Sequence, residues 1–155
     1  MHLFRRERRV SVPPVYRSRL QSILGSALDN GAYRLDLQWN SAEEARRYSA
    51  RIPQMQGELR QVKAEINQRM KEIRAAFAQR RESVRPGLVA VVASRVTGAG
   101  KKRTAEDKAR KLEKLSRKQD EALAPYQMTR DVIDRLLLQL DSLKKQVDAW
   151  LARQE

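Results

Sequence analysis

The sequence predicts an all-α protein: a long antiparallel coiled-coil helical hairpin, with a short N-terminal helix and an extended segment packed at its base. Three observations lead there. Apolar residues recur three and four apart over two long segments, the spacing that lays one stripe along a helix. Of the 155 residues only 5% are aromatic and 34% are charged, a composition suited to surface-rich helices and not to a β-sandwich. The stretch between the two segments is too long for a tight turn, which lets the second helix fold back on the first. At this length the chain reads as a single domain, 1–155. Its parts are a basic arm, short helix and extended segment (1–40), a first long helix (41–84), a basic and apolar tip loop (85–103) and a second long helix (104–153).

In the first part, Pro14 stands where a helix can begin. Leu20, Ile23, Leu24, Ala27 and Leu28 form a stripe at helical spacing, and Asn30–Gly31 is expected to end it. Tyr33, Leu35, Leu37 and Trp39 then alternate with Arg34, Asp36 and Gln38, the period of two of a half-buried strand. That segment is expected to strap the base or to join another chain's sheet, without pairing with Leu88–Val92.

The first long helix is signposted by Ser41 and Glu44, a capping box in which each side chain satisfies an orphan backbone N–H. Its seam runs Ala45, Tyr48, Ile52, Met55, Leu59, Val62, Ile66, Arg69, Ile73 and Ala76, with Arg69 alone breaking the apolar rule. Ile52, Leu59, Ile66 and Ile73 are each seven apart, the spacing of a coiled-coil seam. In the second helix Leu112, Tyr126, Ile133, Leu140 and Val147 hold one heptad position, with Gln119 as the polar exception. Leu115, Ala122, Thr129, Leu136, Leu143 and Trp150 hold the other. Thr104 is the expected N-cap, with Glu106 and Asp107 in the first turn. Pro53 and Pro125 each remove a backbone donor, so a kink or break is expected at both. A third stripe, Leu123, Leu137 and Leu151, offers a seat for the N-terminal helix.

If Val84 meets Thr104, the numbers of facing residues add to 188, and registers one heptad away keep apolar against apolar as well. The 188 register sets Arg69 opposite Gln119 in one polar layer. It also places Trp150 opposite Gln38, so Trp39 and Trp150 fall together at the base, where an aromatic cluster is expected to be core. A 44-residue helix makes the arm about 65 Å long at ~1.5 Å per residue.

Several chemistries are excluded. No cysteine is present, so disulfides, thiolate metal sites and cysteine nucleophiles are absent. His2 is the only histidine, which removes histidine-based zinc sites and Ser–His–Asp triads. No apolar run approaches the roughly 20 residues of a membrane span. The basic start M-H-L-F-R-R-E-R-R has no apolar region behind it, so no secretory signal is expected and the reading is cytoplasmic. The acid pairs Glu43/Glu44, Glu106/Asp107 and Asp120/Glu121 suit helix starts and exposed faces. No enzymatic activity, cofactor or metal is expected.

Charge is the informative property. The net charge of +14 divides as +5 over 1–20, +2 over 21–78, +9 over 79–118 and −2 over 119–155. The dense part holds Arg80, Arg81, Arg85, Arg95, Lys101, Lys102, Arg103, Lys108, Arg110, Lys111, Lys114, Arg117 and Lys118. Cations concentrated in this way form a phosphate-binding footprint; the plain alternative is a solvated helix face. The candidate nucleic-acid-binding residues are Arg80, Arg81, Arg85, Arg95, Lys101, Lys102, Arg103, Lys108 and Lys111. Gly98–Lys102 hints at a phosphate loop, but Arg95 stands where the first loop glycine belongs and Lys102 where Ser or Thr belongs. The run Leu88–Ala93 reads either as a cap on the seam or as a sticky patch for a partner or lipid surface. From Gln79 to Lys118 there is no aromatic residue, so nucleic-acid contact there should be to phosphates and indifferent to sequence. The expected function is a non-enzymatic basic coiled-coil protein that binds RNA, DNA or a ribonucleoprotein assembly at the hairpin tip. The alternatives are a structural adaptor in a protein complex and a peripheral membrane-surface protein.

Overall fold

The computed structural model describes residues 10–29, 31–84 and 98–154, with side chains from 105 onward in the last segment. Its elements are α1 (Pro14–Leu24), a 3-10 turn (Gly25–Ala27), β1 (Leu28–Asp29), β2 (Arg34–Leu35), α2 (Ala42–Ser83) and α3 (Gly98–Gln154). The two long helices pack against each other. The chain forms two compact units: residues up to Asn67 together with those from Pro125 onward, and Gln68–Ala124.

In the first unit α2 starts as its sequence dictates. The Glu44 N–H donates to Ser41 Oγ at 3.2 Å, and the Glu44 carboxylate accepts the Asn40 N–H at 2.9 Å. Ala45, Ile52, Met55, Leu59, Val62 and Ile66 are buried along α2, and Thr129, Ile133, Leu136, Leu140 and Val147 along α3. These are seam positions read from the three-four spacing, and each fully buried Leu or Ile stabilises by about 1.5–3 kcal/mol relative to exposure. Thr129, the polar member, is satisfied by donating its hydroxyl to the Pro125 carbonyl at 2.7 Å. Neither Pro53 nor Pro125 breaks its helix. Pro53 is exposed, where the carbonyl it leaves unpaired can turn to water.

The register differs from 188. Ser49 bonds Asp148, Lys63 bonds Asp134, and Arg130 bonds Asn67. In all three pairs the residue numbers add to 197, and their reversed order makes these stretches of α2 and α3 antiparallel. A heptad pattern cannot choose between such registers, because sliding by about one repeat keeps apolar facing apolar.

The N-terminal segment wraps this pair. Helix α1 ends at Gly25, whose φ of +60° is a conformation that L side chains rarely adopt. The expected stop at Asn30–Gly31 is therefore corrected, and the signal was the glycine directly after Leu24. Ala27 and Leu28 remain buried, on the turn and on β1. β1 pairs antiparallel with β2, Leu28 opposite Leu35 and Asp29 opposite Arg34, across a turn in which Asp29 accepts the Gly31 N–H. Leu88–Val92, the segment expected not to pair here, lies outside the described residues.

Helix α1 sits beside Glu65 and Tyr126. Arg19 forks onto the Glu65 carboxylate, holding that carboxyl below its ordinary range. Tyr16 meets Tyr126 edge to face with ring centroids 6.0 Å apart. From β2 the chain runs extended along α3, anchored where the Leu35 N–H donates to Gln139 at 2.9 Å. This is the expected strap. It brings Trp39 to Trp150, but both indoles are only half-buried. The expected aromatic core is an open groove, because Trp150 stands in the last turns of α3.

In the second unit the seam shifts phase. Arg69 is exposed and pairs with Glu72 at 3.2 Å, while Met70 is fully buried in its place. Gln119 bonds Arg81, twelve residues beyond Arg69, so the polar layer of Arg69 and Gln119 does not form. A helix of 3.6 residues per turn drifts about 20° per heptad against a strict repeat. Taking Met70 after Ile66 absorbs that drift and spares the cost of burying a cation.

Candidate nucleic-acid interface

The second unit carries the dense charge on two helices. At the end of α2, Arg80 and Arg81 are exposed. Both oppose the negative end of the helix dipole, which alone favours cations there. The Arg80 guanidinium lies 4.9 Å from the Phe77 ring centre, a cation–π contact. The Arg81 guanidinium donates to the Gln119 side chain on α3.

On α3 the helix begins at Gly98, six residues before the expected N-cap Thr104. Lys101, Lys102 and Arg103 therefore belong to helix and not to loop. Arg85, Arg95 and the apolar run Leu88–Ala93 lie outside the described residues. Every residue from Ala105 to Lys111 is exposed, including Lys108 and Lys111, and Leu112 and Leu115 are half-buried.

Helix geometry sorts these cations. At 100° per residue, Arg110, Lys111, Lys114, Arg117 and Lys118 fall within an arc of about 120° facing away from Leu112 and Leu115, over about 12 Å of helix. All five are exposed. Within 110–118 the one acid, Glu113, flanks the arc and pairs with Arg117 at 2.7 Å, while Asp107 and Glu121 bound the stripe on the same face about one turn before and after it. Among the described residues Arg110, Lys111, Lys114 and Lys118 have no carboxylate within 4.0 Å. Lys108 lies off the arc. Of the nine residues singled out from sequence, Lys111 is thus on the stripe, while Arg81 is tied to α3 at Gln119, on the face of Leu112 and Leu115. Arg110, Lys114, Arg117 and Lys118 complete the stripe. Their signal was in the sequence, as the 3.6-residue phase of the basic run.

The stripe can present ammonium and guanidinium groups to a polyanion. Among the described residues there is no cluster of three or more metal-ligating side chains, and no helix is long and apolar enough to cross a membrane. No protein-family model, no curated protein and no solved structure matches the chain.

Proposed function

We propose that this is a non-enzymatic cytoplasmic protein that binds RNA or DNA through phosphate contacts, with its paired helices acting as a coiled-coil arm. The observation that carries the reading is the stripe of Arg110, Lys111, Lys114, Arg117 and Lys118, of which four have no carboxylate partner among the described residues. A face kept only for solubility mixes both signs, as the rest of α3 does. Unneutralised cations in a row gain most from a partner whose own charges are regularly spaced, because binding releases condensed counterions. With no aromatic side chain between Gln79 and Lys118, the stripe reads backbone and not bases.

The second reading, an adaptor within a protein assembly, is supported by Leu138, which is 71% exposed on α3. Purification separates the two. Nucleic acid that co-purifies and is removed by high salt or nuclease supports backbone binding. A protein partner retained through both treatments supports the adaptor. Flotation with anionic vesicles, lost in salt, would favour a membrane surface instead.

A further inference from the structure

We propose that the groove between Trp39 and Trp150 is a second, independent site that binds single-stranded nucleic acid by stacking bases on the indoles. It goes beyond the backbone-binding reading above and shares no residue with the stripe. The groove, about 480 Å³ in volume, is lined by Trp39, Ser142, Lys145, Gln146, Ala149, Trp150 and Arg153. Two rows four residues apart build its wall on α3: Ser142, Gln146 and Trp150 in one, Lys145, Ala149 and Arg153 in the other. The small Ala149 leaves a gap between two cations about 12 Å apart along the helix. Trp39 enters from the extended strap. The two indoles do not stack on each other, and both keep exposed surface.

Each feature fits a single strand. The part of each half-buried indole left accessible can stack on any base, and adjacent cations hold the flanking phosphates. Lys145 shares only a long 3.5 Å pair with Asp141, both well exposed. Arg153 donates its Nε to the Ala149 carbonyl at 3.4 Å, so its two terminal amino groups remain for a phosphate. Ser142 and Gln146 add hydrogen-bonding groups at the wall. An acidic peptide would satisfy the cations but would have no use for two indole faces. Duplex hides the base faces that the groove offers to hold.

Trp39 and Trp150 are the only tryptophans in the chain, so fluorescence excited selectively at tryptophan, and not at the four tyrosines, reports on this groove. The full-length protein is titrated with an unstructured oligouridylate of about eight nucleotides, an abasic oligomer of equal phosphate count, a duplex and oligoglutamate. The proposal expects saturable quenching by oligouridylate and little by the other three. Trp150→Ala should weaken oligouridylate binding by about fivefold or more, and Trp150→Phe, which keeps a stacking ring, by less. The variant Lys111→Gln/Lys114→Gln/Lys118→Gln should keep the quenching, because the stripe is elsewhere. Unchanged fluorescence at saturating oligouridylate overturns the groove while leaving the stripe to stand or fall by its own test. Equal quenching by the abasic oligomer overturns base stacking, and equal quenching by oligoglutamate makes the occupant an acidic protein segment.

Discussion

Helix α3 does two different things in its two halves. Of nineteen buried apolar side chains among the described residues, sixteen belong to the unit of residues up to Asn67 and from Pro125 onward. Only Met70, Phe77 and Leu123 are buried in the unit Gln68–Ala124. From Pro125 to Gln154 the helix has α2 and the N-terminal strap to bury its apolar positions. From Ala105 to Lys118 no residue is fully buried, and the cations outnumber the acids two to one. The difference shows that a continuous heptad pattern does not guarantee a continuous core. Burial depends on what lies opposite, and exposed helix positions are free to carry charge.

The largest expected effect tests this contrast directly. Leu136→Ala removes a fully buried side chain and should cost about 2–5 kcal/mol in denaturant unfolding. Leu115→Ala, at a half-buried position, should cost about 1 kcal/mol. Equal losses would mean that the two halves are packed alike.

The phase shift gives the next effect. Met70→Ala should cost about 2–4 kcal/mol, whereas Arg69→Ala, at an exposed position, should fall within about 0.5 kcal/mol of the parent. The reverse ranking would restore Arg69 to the seam.

That pair also marks what could be read from sequence. The seam residues of the well-packed unit were legible, because Ile52, Leu59, Ile66, Ile133, Leu140 and Val147 repeat at seven with few interruptions. So was the start of α2, since a capping box is a local signal with a local structural consequence. Register was not legible. Heptads of similar residues are interchangeable under a shift, and the 188 register assumed that Val84 meets Thr104, although α3 already begins at Gly98. The exchange of Arg69 for Met70 escaped for a related reason: a strict sevens count ignores the drift of a 3.6-residue helix. The cationic cluster was visible as composition, but its stripe required a helical phase that continues through 98–118. The Trp39–Trp150 groove is not legible in the sequence, because hydrophobicity reports what a side chain prefers and not whether anything covers it.

The smallest expected effect is pH dependence, and it should belong to the well-packed unit. Arg19 lowers the Glu65 carboxyl, and Lys144 and then Ser49 lower that of Asp148. A depressed folded value means that the stabilisation is complete above the ordinary carboxylate range near about pH 4. It is then lost as pH falls through the lower folded value. Stability should therefore stay level from neutral to mildly acidic pH as far as these two groups are concerned, and decline below. Glu65→Gln and Asp148→Asn should each shallow that decline slightly, because both carboxylates are exposed and well screened. A decline unchanged in both variants would remove these pairs from the acid response.

The central claim is that the first half of α3 binds phosphate and contributes little to the packing that holds the fold. The most direct test measures the slope of log K against log salt for duplex and single-stranded nucleic acid, for the parent and for Lys111→Gln/Lys114→Gln/Lys118→Gln. Loss of three phosphate contacts should reduce the slope by about 2.7 for duplex DNA or about 2.1 for a single strand, while the unfolding midpoint and helix content stay at parental values. A variant that binds as tightly as the parent, with the same slope at every salt concentration, would contradict the claim.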